Sequence, residues 1–143
     1  MEIKIIVPGE PVAQGRPRFN SYTKVAVDPK KSRNYKKLVA KYAMKHKPQH
    51  LLEGELAVQI DIYKGTLKSF SKKKAELAEA RLLRPTTKPD VDNYAKGPLD
   101  ACKGIIWEDD GQVVELIARK FYSLNPRIEI TVRSLEEQEI KLL

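Results

Sequence analysis

Apolar and polar residues alternate from the start of the chain: Ile3, Ile5 and Val7 fall between Glu2, Lys4 and Ile6. A period of two sends alternate side chains to opposite faces of a strand, and Pro8-Gly9 should end this one. The same period returns at Leu56, Val58, Ile60 and Ile62, set between Glu55, Ala57, Gln59 and Asp61. It returns over about 112–122, where Val114, Leu116, Ala118 and Tyr122 are expected to share a face. After a turn at 123–126, Ile128, Ile130 and Val132 alternate with Arg127, Glu129, Thr131 and Arg133. So short a turn predicts that the last two strands form an antiparallel hairpin.

Helical spacing fills the intervals. Pro29 should open a helix reaching about His46, with Tyr35, Leu38, Val39, Tyr42 and Ala43 as its buried stripe. Ser71 can cap a short helix through Leu82. A third helix should follow Pro89, with Asp90 as its cap and Asp92 in its first turn. Pro98 removes the amide that would bond the carbonyl of Tyr94, so this helix should kink, or break and restart. The tail, Leu135 to Leu143, reads as a further short helix. Strand, helix, strand, short helix, helix, strand, strand implies an α+β fold in a single domain over residues 1–143. Its mixed sheet should have about four strands, with helices largely on one face.

Residues 8–28 form a long connection containing Arg16, Arg18, Phe19, Asn20 and Tyr22. A connection of that length usually has a task. Arg16 and Arg18, held apart by Pro17, suit phosphate; the plainer reading is a surface loop. Lys72, Lys73 and Lys74 open the short helix, where they oppose its dipole. That conflict fits a phosphate grip as well as a solvated charge run.

Charge supports the first reading: 27 Lys and Arg against 19 Asp and Glu leave +8, which favours a polyanionic partner. A chain that is 41% hydrophobic and 32% charged is globular rather than disordered. At 143 residues it can bury roughly 68–70% of its unfolded surface. The single Cys102 cannot form an internal disulfide and is expected to pack, which fits a cytoplasmic protein. No run reaches membrane length and no signal peptide is evident, so no membrane partner is expected. His46 and His50 flank Pro48 and match no zinc spacing.

Against this basic background, Asp90, Asp92, Asp100, Asp109 and Asp110 crowd into one segment. Carboxylates repel one another, and a hard divalent cation is the usual reason to gather them. Lys96 lies four residues after Asp92, on the same helical face. Capping explains Asp90 and Asp92 equally well when they are taken alone, and Asp109-Asp110-Gly111 is also an ordinary turn.

Lys88-Pro-Asp-Val-Asp-Asn93, then Lys96, Leu99-Asp-Ala101, Gly104-Ile-Ile-Trp107, Asp109-Asp110 and Gln112-Val113 together resemble the RusA family of Holliday-junction resolvases. Pro11 to Arg18 resembles a signature of its Gram-positive and phage branch, whereas residues 50–85 match only in layout. The resemblance implies a RusA-like fold, a homodimer, four-way-junction DNA as partner, and Mg2+ (with Mn2+ as a substitute) as cofactor, without a small-molecule cofactor. It implies Asp90, Asp92 and Asp110 as metal-binding, catalytic carboxylates and Lys96 as the catalytic lysine, with Asp109 and Asp100 as second choices. Asp100 could instead orient Lys96. Arg16, Arg18 and Lys72 to Lys74 would hold the DNA, and Trp107 would pack the core rather than stack on a base.

Other readings remain in view. A basic nucleic-acid-binding module could use the same acids as caps and turns. A haloacid-dehalogenase Asp-x-Asp should follow an apolar strand, but Asp90 follows Arg84-Pro-Thr-Thr-Lys-Pro89. An EF-hand would need a central glycine and a terminal glutamate that this loop lacks.

Overall fold

The computed structural model describes residues 1–15, 18–27 and 29–135; at 18–20 and 25–27 only the backbone path is described. The strands are β1 (Glu2–Pro8), β2 (Arg18–Asn20), β3 (Val25–Val27), β4 (Leu56–Gly65), β5 (Val113–Ser123) and β6 (Arg127–Ser134). The helices are α1 (Lys30–Met44), α2 (Lys72–Glu79) and α3 (Val91–Cys102). The predicted C-terminal helix lies outside the described residues.

One mixed sheet runs in the order β1-β6-β4-β5. The alternation read from the sequence becomes apolar rows across it. Ile5 pairs with Ile130, which pairs with Ile60; Val7, Ile128 and Ile62 make the next row. All six are buried. Each such side chain contributes about 1.5–3 kcal/mol when fully buried. Tyr35, Val39 and Ala43 of α1 join this core, as do Tyr94, Ala95, Ala101 and Cys102 of α3. α2 instead packs along β5.

β5 and β6 are antiparallel about a short turn, as expected, but they do not bond to each other. β4 lies between them, parallel to β5 and antiparallel to β6. β4 is buried along most of its length, so it gains most from two neighbours. β5 takes the edge, with Val114, Leu116 and Ile117 exposed. A register shift opposite Leu56 and Ala57 leaves Val114 outside the pairing, so the expected face of Val114, Leu116, Ala118 and Tyr122 is not a continuous buried one.

The 8–28 connection is not structureless: β2 and β3 pair within it as a two-stranded antiparallel sheet. Ser71 caps α2 as expected, its Oγ accepting from Lys74 N at 3.2 Å. The helix ends at Glu79, earlier than predicted, because Arg81 turns left-handed at φ 65. α3 runs unbroken through Pro98. A proline inside a helix costs roughly 3 kcal/mol or more; Gly97 and Pro98 are both buried, and packing against α1 offsets that cost. No helix among the described residues is long and apolar enough to cross a membrane.

Candidate active site

The entrance to α3 is held from two sides. Lys120 on β5 donates its Nζ to the carbonyls of Thr87 (3.0 Å) and Pro89 (3.1 Å), fixing the approach to Asp90. The connection after β1 reaches the same place: Gln14 N donates to Asn93 O at 2.9 Å, and Gly15 N to Ser32 Oγ at 2.8 Å. A Cβ on Gly15 would lie 2.7 Å from Pro29 Cγ, so only glycine allows this close approach. Arg16 lies outside the described residues, and for Arg18 only its place on β2 is described. The anchors at Gln14 and Gly15 nevertheless bring the chain to the start of α3 just before this arginine pair.

Asp90 occupies the N-cap position of α3 but makes no side-chain cap hydrogen bond, contrary to the expectation that it caps the helix. Its extended backbone at ψ 152 begins the helix, and its carboxylate is exposed. Asp92 is exposed in the first turn. Lys96 faces the same side and donates from Nζ to Asn93 Oδ1 at 3.4 Å.

The other acids are placed differently. Asp109 is consumed in a capping box: its side chain accepts from Gly111 N, and Gln112 Oε1 accepts from the Asp109 amide at 3.0 Å. Asp100 lies 3.8 Å from Lys36 Nζ on α1. Asp110 Oδ1 accepts from the indole Nε1 of buried Trp107 at 2.8 Å. It sits near Cys102, whose thiol is pushed up to about 12 by burial and then by the Asp110 charge. Cys102 is the last residue of α3, about 15 Å along the helix axis from Asp92. Asp90, Asp92 and Asp110 do not come together: the described residues contain no group of three His, Cys, Asp or Glu able to hold a metal ion. Trp107 packs in the core, as expected.

The donor set of Asp90 and Asp92 fits a hard cation. Mg2+ is usually bound through one or two carboxylates, with waters and substrate phosphates filling its other positions. Two exposed carboxylates without a hydrogen bond to the described residues supply that minimum, while Asp110 keeps Oδ2 unbonded. Lys72, Lys73 and Lys74 are exposed at the start of α2, with Lys74 Nζ 5.5 Å from the Phe70 ring.

Sequence reading missed Lys120 and Gln14, which shape the site through backbone contacts to residues far along the chain. Nothing in the local sequence marks either one.

A mixed sheet carrying an acidic helix entrance in a basic chain is suited to metal-assisted chemistry on a phosphate polyanion. The family model described as endodeoxyribonuclease RusA matches residues 8–133, and the chain belongs to the RusA family of endodeoxyribonucleases. It is also similar to the uncharacterized protein YqaN of Bacillus subtilis (strain 168), with 50% identity over 137 residues that cover 93% of this chain and 96% of that protein.

Proposed function

We propose that this protein is a Mg2+-dependent, structure-selective endodeoxyribonuclease that resolves Holliday junctions in DNA recombination and repair. It would act in the cytoplasm as a homodimer of single RusA-like domains spanning residues 1–143. The observation that carries the reading is the pair of exposed carboxylates at the start of α3, Asp90 and Asp92, with the N-cap carboxylate not spent on capping. A two-fold dimer matches the symmetry of a four-way junction and would place one nick per protomer.

Asp90 and Asp92 would hold the Mg2+, for which Mn2+ could substitute. Once bound, the ion would neutralise charge on the scissile phosphate and lower the pKa of the attacking water. Lys96, now resting on Asn93 Oδ1, would turn its ammonium toward the charge that grows on the phosphate or leaving oxygen. Lys120 keeps the helix entrance in place while this happens. Asp110 is proposed as a third carboxylate from its place in the family motif alone. Its Oδ2 is the atom it could offer, and it would have to be brought to Asp90 and Asp92 when metal and DNA bind, since the described residues do not already gather the three. Arg16, Arg18 and Lys72 to Lys74 would take the DNA backbone.

The test is cleavage of a synthetic four-way junction and of linear duplex, with and without Mg2+, by wild type and Asp92→Asn. The near-isosteric amide should keep the fold, lower divalent-ion affinity and abolish nicking while junction binding persists. If Asp92 only serves the helix start, the change costs at most about 1 kcal/mol of stability and nicking survives. Wild-type rates from D92N across a Mg2+ titration would remove the centre of the proposed site. Binding without Mg2+-dependent nicking by wild type would leave a DNA-binding module in place of an enzyme.

A further inference from the structure

On the sheet face opposite α1 and α3, Tyr63 and Phe121 stack with centroids 5.2 Å apart, both buried. Four guanidinium groups lie against this pair. Arg127 sits 3.9 Å above Tyr63 and Arg119 5.2 Å from Phe121. Each has its own acid: Arg127 Nε donates to Glu129 at 2.7 Å, and Arg119 makes a two-bond pair with Asp61 at 2.7 and 2.8 Å.

Arg81 and Arg84 differ. They lie 4.6 and 4.4 Å from the Phe121 ring, both are exposed, and neither has an ion pair with a described acid. Arg81 donates once, to Tyr63 Oη at 2.6 Å, and Arg84 once, from Nε to Lys120 O at 2.9 Å. A guanidinium has five N–H donors, so most remain available. The contacts with the ring and the single hydrogen bond to each group restrain both side chains, which suits contact with phosphate oxygens. Arg81 also occupies a left-handed position, φ 65, that closes α2 and that glycine would fill without strain. The side chain is retained there at a conformational cost.

We propose that Arg81 and Arg84 form a second phosphate-binding surface, for the DNA arm that leads away from the Asp90–Asp92 site. This rests on the DNA-cleaving reading above. The two places are tied through one strand residue: Arg84 bonds the carbonyl of Lys120, and the Lys120 ammonium bonds the carbonyls just before Asp90. Asp90 lies six positions after Arg84, a reach of at most about 22 Å. A single duplex arm passing the β5 edge can therefore touch both. Charge favours this occupant, since the patch adds two cations that make no ion pair with a described acid to an already basic chain.

The experiment measures equilibrium binding of the full-length protein to a labelled four-way junction and a short labelled duplex across a salt series. Arg81→Gly keeps the left-handed backbone and Arg84→Gln keeps a donor for Lys120 O, so both should fold; circular dichroism and the melting temperature check this. Together they should weaken binding about tenfold or more at moderate salt and lower the slope of log affinity against log salt by about 0.9 per phosphate released. Arg81→Lys with Arg84→Lys should keep most of that slope. An unchanged slope in folded R81G/R84Q, beside a wild type that binds and cuts, overturns the patch and leaves the cleavage site standing. A wild type that binds neither DNA overturns both.

Discussion

The Trp107 indole donates a 2.8 Å hydrogen bond to Asp110 Oδ1, joining the deepest aromatic side chain of the core to the acidic turn before β5. The bond occupies one oxygen of Asp110 and leaves the other free. Asp110→Asn can keep the indole contact through its amide oxygen, so it should fold with little change in melting temperature. It should nevertheless nick junctions far more slowly. Trp107→Phe should lose roughly 1–3 kcal/mol by removing the donor and some core volume. Junction cleavage and thermal melting of both variants decide the matter. Normal cleavage by D110N would make Asp110 only the partner of the indole.

Lys96 rests on Asn93 at 3.4 Å, a long contact that substrate can displace. Lys96→Ala should reduce single-turnover cleavage far more than junction affinity, because its proposed partner is charge in the transition state. Lys96→Arg should rescue poorly, since a planar fork does not replace a compact ammonium. Ordinary cutting by K96A would reduce Lys96 to a helix-surface cation.

The loop arginines make a different prediction. Gln14 and Gly15 bring the chain to the start of α3, so Arg16→Ala with Arg18→Ala should weaken junction binding and reduce its salt dependence. Substituting Lys72 to Lys74 should add to that effect. Salt slopes identical to wild type would show that neither segment contacts phosphate.

Acid stability should depend on Asp61. Burial alone would raise its pKa, but hydrogen bonds from Arg119 and Gln59, with the charges of Arg119 and Arg81, outweigh that and hold it below the ordinary carboxylate range. A depressed folded pKa means the stabilisation is complete above the unfolded pKa, about 3.9, and is lost as pH falls through the folded value. Melting temperatures from pH 7 downward should therefore fall less steeply at the acid end for Asp61→Asn, from a lower starting point. Parallel curves for the two proteins would rule out this contribution.

Much of the fold was legible because its signals are local. The alternation at Ile3–Val7, Leu56–Ile62 and Ile128–Val132 names the face each strand buries, and the stripe of Tyr35, Val39 and Ala43 names the buried side of α1. The pairing of Asp90 and Asp92 at a helix start could also be read directly, since two residues of separation and a preceding proline suffice.

Tertiary structure decided whatever depends on which distant segments meet. The turn at 123–126 suggested a hairpin, but β4, the more fully buried strand, enters between its arms. The sequence grouped Asp110 with Asp90 and Asp92; among the described residues the three do not make a ready metal-holding group, and Trp107 claims one oxygen of Asp110. Asp100 found Lys36, 64 positions earlier, because α1 packs on α3. Arg81 and Arg84 carried no signal in the sequence; β4 and β5 bring Tyr63 and Phe121 against them. Periodicity reports how a segment meets water, so one chain segment carries it in full. Contact between segments is set by how the whole core closes, and no single stretch of sequence contains that information.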